Sequence, residues 1–311
     1  MGEAVRAAGD ELGWETVSIP LADGGEGLLD ALGGPNRSQM VTGPLGDLVD
    51  APWRFDRSSK TATIEMAAAS GLALVGAENN DPVAATTTGT GELIASAVEL
   101  GAKRIVVGVG GSATTDGGFG ALRAMFPLQR LRGVELIVAC DVRTRFLDAP
   151  AIFGPQKGAS PSQIKLLERR LERLAQVYLE EHGVDVLELP RAGAAGGLGG
   201  GLAAAGARLV DGFTYVADEL DLFHAIESAD LVITGEGFLD EQSFDGKVVG
   251  GVVALAAEAG TEVVAIAGRV FDGVGDRVAT RSLVETCGEN RALNDTADCI
   301  TEIATALMTE R

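Results

Sequence analysis

Acidic residues and lysines recur in this sequence within glycine-rich segments that follow short apolar runs. The acidic residues of this kind are Asp23, Glu26, Asp116, Glu236, Asp240 and Asp245, and the lysines are Lys157 and Lys247. The chain has five lysines, and the two beside glycine are better candidates for contact with an anion than Lys60, Lys103 or Lys165. Phosphoryl transfer requires cations, carboxylates and N–H donors placed around the phosphates. The pattern therefore favours anion binding and phosphoryl transfer, with a solvated surface role as the alternative for each single residue.

The longest glycine-rich segment spans residues 108–118 (GVGGSATTDGG), and we call it the glycine loop. It follows an apolar run and precedes helical sequence, so its N–H groups can converge on an anion. The predicted cofactor-binding residues are Gly110, Gly111, Ser112, Thr114 and Thr115, which offer backbone amides and hydroxyls as donors. A tight turn that only glycine permits is the alternative interpretation.

The first residues of the glycine loop also fit the dinucleotide fingerprint G-x-G-x-x-A, from Gly108 to Ala113. That fingerprint requires an acidic residue at the end of the next strand. Here Glu135 opens the next strand and Asp141 comes too late, so an NAD(P)-dependent oxidoreductase is a remote alternative. The pattern G-x-x-x-x-G-K-[ST] is absent from the sequence, which excludes an ordinary P-loop kinase.

Apolar runs of strand length alternate with helical sequence, which indicates an α/β fold with largely parallel sheets. Strands are predicted at residues 16–19, 61–66, 104–107, 135–139, 231–233 and 262–266, and an amphipathic helix at 3–12. The clearest helix begins at Ser160 with a capping box and a proline, and Gly183 ends it. The glycine-rich stretch 193–202 either approaches a ligand or allows close helix packing, and the sequence leaves both open.

Length and pattern together predict two domains, because 311 residues exceed what one hydrophobic core usually organises. Residues 1–42 with 225–311 are predicted to form a Rossmann-like domain with a largely parallel sheet. Residues 43–224 are predicted to form a second, mixed α/β domain. Ligands bind at the carboxyl ends of the strands in such sheets, so the acidic and glycine-rich segments are expected to meet there.

The composition limits the partners of the chain. A formal net charge of −20 argues against a nucleic-acid backbone and an anionic membrane as partners, because both would be repelled. Cys140, Cys287 and Cys299 are predicted to be reduced, buried thiols, because their number is odd and their spacings are unrelated. His182 and His224 lie apart from each other and from the cysteines, so a zinc site is unsupported. The sequence has no long apolar span and no signal peptide, which favours a soluble, cytoplasmic protein.

Nine segments, taken in order along most of the chain, resemble the bacterial glycerate kinase family, type I. They are Pro20–Gly27 (PLADGGEG), Gly43–Gly46 (GPLG), Ile64–Leu72 (IEMAAASGL), Thr87–Ile94 (TTGTGELI), the glycine loop, Cys140–Val142 (CDV), Phe153–Ala159 (FGPQKGA), Gly193–Gly199, and Asp230–Asp240 (DLVITGEGFLD) with Gln242 and Gly246–Lys247. The resemblance implies a two-domain α/β kinase, a transferase that phosphorylates a hydroxyl of D-glycerate with ATP and Mg²⁺. It thereby implies a role in the phosphorylation of organic acids.

The predicted catalytic residues of such a kinase are Asp23, Lys157, Lys247 and Asp240, and the predicted metal ligands are Asp116 and Glu236. The choice between the 2- and the 3-hydroxyl, the substrate enantiomer and the formation of a homodimer stay open. The chain departs from the family pattern at its start, where an apolar strand and a lysine-bearing loop are expected before the first helix. An alternative is therefore a catalytically silent protein that binds glycerate.

Overall fold

A computed structural model describes residues 1–244, 247–271, 273–274 and 276–311. Asp245 and Gly246, which belong to the predicted acidic and lysine-bearing segments, lie outside the described residues. The chain divides into two compact units, a larger one of Ala22–Val216 and a smaller one of Met1–Leu21 with Ala217–Arg311. The domain boundaries expected from the sequence, between residues 42 and 43 and between 224 and 225, stay a prediction.

Within the described residues, each unit contains one sheet. The strands are β1 Arg37–Thr42, β2 Leu48–Asp56, β3 Thr61–Glu65, β4 Arg104–Gly108, β5 Glu135–Cys140, β6 Arg208–Asp211, β7 Val232–Leu239, β8 Val263–Val270 and β9 Ala279–Ser282. In the larger unit the strand order is β1-β2-β3-β4-β5-β6, with β1–β2 and β2–β3 antiparallel and the other pairs parallel. In the smaller unit β7, β8 and β9 run parallel. The predicted α/β class with largely parallel sheets is confirmed.

Helices connect most of the strands. The α-helices are α1 Gly2–Leu12, α2 Leu28–Ala31, α3 Ala67–Ser70, α4 Thr88–Glu99, α5 Phe119–Met125, α6 Ala149–Phe153, α7 Pro161–His182, α8 Ala194–Ala204, α9 Gly212–Glu219, α10 Leu222–Glu227, α11 Val248–Ala259, α12 Leu283–Cys287, α13 Glu289–Asn294 and α14 Thr296–Thr309. Short 3₁₀ turns occupy Leu72–Leu74, Leu128–Leu131, Phe146–Asp148, Pro155–Lys157 and Glu241–Phe244. No helix in the described ranges is both long and apolar enough to cross a membrane.

The parallel part of the larger sheet forms the centre of its core. Successive residues of a strand point to opposite faces of a sheet. Full burial is nevertheless found for the neighbouring residues Val106 and Val107 on β4, and also for Val138 on β5. Both faces of the sheet are therefore covered, as is usual for parallel sheets. Because β3 to β6 run in the same direction, their carboxyl ends lie at one edge of the sheet. The loops that leave this edge carry most of the predicted site residues.

Local sequence signals were reliable at the clearest helix. The Ser160 hydroxyl accepts a hydrogen bond from the amide of Gln163, and the Gln163 side chain accepts one from the amide of Ser160, which is a capping box. Gly183 follows α7 with a φ of 70°, a left-handed conformation that glycine adopts without strain. The predicted start and end of this helix are confirmed.

The strand expected at residues 16–19 is wrong. These residues form neither strand nor helix, and Val17 is 79% exposed. A strand needs a neighbour to satisfy its backbone N–H and C=O groups. None of the described strands pairs with this segment, so residues 16–19 do not form a strand despite their alternating pattern.

Candidate active site

The loop of residues 23–27, which we call the Asp23 loop, lies against the glycine loop at the carboxyl edge of the larger sheet. A Cβ atom added at Gly25 would lie 3.6 Å from the Cα of Gly110 and 3.9 Å from Oδ1 of Asp23. A Cβ added at Gly108 would come within 2.5 Å of the carbonyl oxygen of Gly24. Glycine at these positions thus allows the two backbones to touch. The structure brings the loops that carry Asp23 and Gly110 into contact. The parallel-sheet argument expected Asp23 at the carboxyl end of a strand, but residues 1–22 contain no strand.

The hydroxyls predicted to bind a cofactor lie inside the glycine loop. Ser112, Thr114 and Thr115 are 7%, 0% and 1% exposed. The Oγ1 atoms of Thr114 and Thr115 are buried and have no hydrogen-bond partner among the described residues. Gly111 is exposed, and Gly110 is half-buried. In this arrangement Gly111 is the exposed residue of the loop, Gly110 and Asp116 are half-buried, and binding by the hydroxyls stays a prediction.

The glycine-rich stretch 193–202 packs directly under the glycine loop. Ala195, Gly196 and Gly197 at the start of α8 have left-handed φ values of 52°, 70° and 90°. The amide of Gly117 donates to the carbonyl oxygen of Gly196, and a Cβ added at Gly196 would lie 2.0 Å from the Thr114 carbonyl oxygen. Of the two interpretations left open by the sequence, close packing is the one observed. The stretch supports the loop that carries the predicted site.

Asp116 joins the end of the glycine loop to the start of α4. Its carboxylate accepts hydrogen bonds from the Thr87 amide at 2.9 Å, the Thr87 hydroxyl at 2.8 Å, and the amides of Gly118 and Gly120 at 3.1 Å each. Both carboxylate oxygens are therefore occupied by donors. Oδ2 accepts three of these hydrogen bonds and Oδ1 accepts the one from the Gly118 amide, so much of the acceptor capacity of this carboxylate is in use, and its role as a metal ligand stays a prediction.

Lys157 is buried beneath the glycine loop. Lys157 is only 1% exposed. Its Nζ atom donates hydrogen bonds to the Ser112 hydroxyl at 2.8 Å and to the Thr114 carbonyl oxygen at 2.6 Å. Burial lowers the pKa of Lys157 to about 7, and the nearby Asp116 carboxylate opposes this change. The structure therefore joins the predicted lysine to the predicted loop, through contacts that the sequence did not specify.

Glu65 is a residue that the sequence patterns did not single out for a role at the site. It ends β3, and its carboxylate accepts hydrogen bonds from the amides of Gly27 and Leu29, at 2.8 Å for the Leu29 amide. Burial raises the pKa of Glu65, and these two hydrogen bonds lower it in part. Glu65 thus fixes the end of the Asp23 loop and the start of α2.

Arg191 is a second residue that the sequence patterns missed. Its guanidinium donates to the Cys140 carbonyl oxygen at 2.9 Å and pairs with Asp211 at 2.8 Å, and the residue is 9% exposed. Its φ of 72° is unusual for a residue other than glycine. A Cβ at Gly212 would lie 1.9 Å from the Asp23 carbonyl oxygen, so the residue that follows Asp211 packs against the Asp23 loop. No local sequence signal marks this ion pair.

Three predicted residues belong to the smaller unit. Glu236 lies in β7, Asp240 directly follows this strand, and Lys247 precedes α11. The Asp240 carboxylate accepts hydrogen bonds from the amides of Gln242 at 2.8 Å and Ser243 at 3.2 Å, so it caps a 3₁₀ turn. One carboxylate oxygen of Glu236 is buried without a partner among the described residues. Two of the predicted carboxylates therefore lie on β7 or directly after it, in the smaller unit.

The described residues contain no group of three or more His, Cys, Asp or Glu side chains placed to hold a metal ion. Mg²⁺ commonly binds through one or two carboxylates together with substrate phosphates and water. Glu236, with its unpartnered oxygen, fits that use better than Asp116.

The dinucleotide fingerprint does not fit the observed loop. In that motif the helix starts within the glycine-rich sequence and directs its amides at a pyrophosphate. Here α5 begins at Phe119, six residues after Ala113. The loop is instead held by the Ser70 carbonyl oxygen, which accepts from the amide of Ala113 at 3.0 Å. The oxidoreductase alternative therefore loses its structural basis.

Comparison with known proteins gives a consistent result. A model of the glycerate kinase family matches residues 1–126 and 127–310. Glycerate 2-kinase of Escherichia coli (strain K12) is 43% identical over 295 residues, covering 83% of this chain and 77% of the relative. Glycerate kinase of Halalkalibacterium halodurans is 40% identical over 291 residues, covering 82% of this chain and 77% of the relative.

A solved structure agrees over nearly the same length. A chain from Salmonella typhimurium LT2, described as a glycerate kinase 2, superimposes with a TM-score of 0.83 and 35% sequence identity. The match covers 99% of this chain and 92% of the solved chain. The family match over both halves of the sequence, together with relatives of about 40% identity, shows that this chain belongs to the glycerate kinase family.

Proposed function

We propose that this protein is a glycerate kinase that transfers the γ-phosphoryl group of MgATP to a hydroxyl of D-glycerate. The observation that carries the proposal is the contact between the Asp23 loop and the glycine loop at the carboxyl edge of a parallel sheet. This is the edge where open α/β sheets bind ligands. The names of the relatives supply the substrate, which the geometry alone does not specify.

In the proposed reaction a hydroxyl oxygen of glycerate forms a bond to the γ-phosphorus, and the bond from that phosphorus to the bridging oxygen of ADP breaks. The hydroxyl proton passes to a carboxylate, for which Asp23 is the candidate in the larger unit. The amides of Gly110 and Gly111 serve as donors to phosphate oxygens. The roles predicted for Asp240 and Lys247, which belong to the smaller unit, stay predictions. Little covalent chemistry is required of the protein, so positioning of the two substrates dominates catalysis.

The 2-hydroxyl is the acceptor that we favour, because the relative from Escherichia coli is named a glycerate 2-kinase. The other relative named above gives no position in its name. The product would then be 2-phosphoglycerate. A cytoplasmic location accompanies the proposal, since ATP is available in that compartment.

The direct test couples ADP release to NADH oxidation with purified protein, MgATP and D-glycerate. We expect turnover with D-glycerate well above the rate without an acceptor, and phosphorus NMR of the product to show 2-phosphoglycerate. Lactate, which lacks the 3-hydroxyl, serves as a control for the choice of oxygen. A rate with D-glycerate no greater than the background hydrolysis of ATP would refute the proposed function, and a 3-phosphoglycerate product would refute the choice of hydroxyl.

A further inference from the structure

The contacts of Lys157 point inward, away from any ligand at the surface of the glycine loop. Two hydrogen bonds lead from Nζ to Ser112 and Thr114, and Nζ lies 5.9 Å from the ring centroid of Phe153. Lys60, Lys103 and Lys165 are exposed, and Lys247 is half-buried. Lys157 thus differs from these four lysines in having almost no contact with solvent.

The backbone around Lys157 is tied to the same loop. The side-chain amide of Asn80 donates to the carbonyl oxygens of both Lys157 and Ala113, at 3.0 Å each. Gly158 follows with a φ of 88°, and a Cβ there would lie 2.9 Å from the Ala77 carbonyl oxygen. The turn that carries the lysine and the glycine loop are therefore joined at the side chain and at the main chain.

The hydrogen bond to Thr114 has a consequence for anion binding. A carbonyl oxygen carries partial negative charge and would repel an anion at the surface of the loop. Nζ holds the Thr114 carbonyl inward, where the residue is fully buried. In the part of the chain that the structure describes, no ion pair joins Lys157 to a carboxylate, so the charge of its protonated form is not neutralised by direct contact.

We propose that Lys157 is a positioning residue, which holds residues 112–114 of the glycine loop from behind and does not touch the phosphoryl group. The inference rests on the proposed function for the identity of the anion, and on the contacts above for the role of the side chain. This proposal replaces the prediction from the sequence, which was that Lys157 contacts the substrate directly.

Chemical labelling tests the inward orientation without any assumption about the reaction. Reductive methylation with formaldehyde and cyanoborohydride, followed by peptide mass spectrometry, should label Lys60, Lys103 and Lys165 and leave Lys157 unlabelled. The same result is expected with and without MgATP. Ready labelling of Lys157 in the free protein, with protection by MgATP, would show direct contact with the nucleotide and overturn the inference.

Two variants test the action through the loop. Lys157→Met removes the hydrogen bonds, and Lys165→Met is the matched control at an exposed position of α7. We expect Lys157→Met to speed amide hydrogen exchange in residues 111–115 and to lower kcat/KM by roughly 100-fold, as for misplaced catalytic groups. Addition of Ser112→Ala to Lys157→Met should cost little more, because the two side chains act as a unit.

The outcomes separate the two proposals. Unchanged hydrogen exchange of the glycine loop in Lys157→Met overturns the positioning role, whether or not the protein is a kinase. Faster exchange together with normal MgATP affinity and kcat per folded molecule also overturns it, because Lys157 would then be merely structural. If the wild-type protein neither binds nor turns over MgATP, the proposed function fails, and the exchange experiment still decides whether Lys157 holds the loop.

Discussion

The buried Lys157 predicts an unusual dependence of stability on pH. Burial lowers its pKa in the folded protein to about 7, from 10.5 for a free side chain. Between these two values the unfolded chain binds more protons than the folded one. The contribution of Lys157 to the free energy of unfolding is therefore greatest above about pH 10.5, and it is lost as the pH falls to about 7.

The magnitude follows from linkage. One pKa unit corresponds to about 1.4 kcal/mol. Between pH 8 and 9 the Lys157 amine is almost fully protonated in the unfolded chain and almost neutral in the folded protein. Its contribution to the free energy of unfolding therefore rises by about 1.3 kcal/mol over this interval. Urea unfolding at both pH values, with wild-type protein and Lys157→Met, isolates this contribution, because other titrating groups cancel in the difference. Lys165→Met should behave like the wild type. A wild-type minus Lys157→Met difference that does not change between pH 8 and 9 would refute the assignment of the buried amine.

Two further predictions concern the supports of the site. Gly196→Ala should destabilise the protein by more than Gly206→Ala. Both glycines have a positive φ, but only at Gly196 would a Cβ atom lie 2.0 Å from a carbonyl oxygen. Equal midpoints of thermal unfolding for the two variants would contradict this steric argument. Asp211→Ala should cost about 3 kcal/mol in urea unfolding, because it leaves the Arg191 guanidinium without its ion pair. The double variant Arg191→Gly/Asp211→Ala should recover part of that loss, because it removes the unpaired cation and because glycine adopts the left-handed backbone of residue 191 without strain. No recovery would show that the pair does not act as a unit.

The parts of the fold that depend on local sequence were predictable. The capping box at Ser160 and the left-handed Gly183 need only a few neighbouring residues, and both ends of α7 were predicted correctly. Segment 16–19 carries an equally plain strand pattern, yet it forms no strand, because strand formation also requires a partner elsewhere in the chain. Local patterns specify the period of an element, whereas pairing is decided by residues far away in sequence.

The site shows the same division. The glycine loop and the Asp23 loop could be found from the sequence because glycine and acidic residues mark the ends of apolar runs. The direction of the Lys157 side chain could not, since a lysine beside glycine is usually a solvated loop residue. Its burial depends on Ser112 and Thr114, more than 40 positions away, as the separations of 45 and 43 residues show. Arg191 was missed for a related reason, because its left-handed backbone and its partner Asp211 leave no local pattern.

An acidic chain that binds anions must create positive potential locally, and Lys157, whose amine is largely neutral in the folded protein above pH 7, contributes to this potential only when it is protonated. With a net charge of −20, an exposed lysine would find carboxylates and counterions nearby, which would screen its field. A lysine buried behind the loop cannot rotate toward the acidic surface, and its field acts through a medium of low dielectric constant. Burial alone favours the neutral amine, but an anion bound at the loop would favour the protonated form. Anion binding and protonation of Lys157 should therefore support each other, and this coupling would be absent from a lysine that simply projects into solvent.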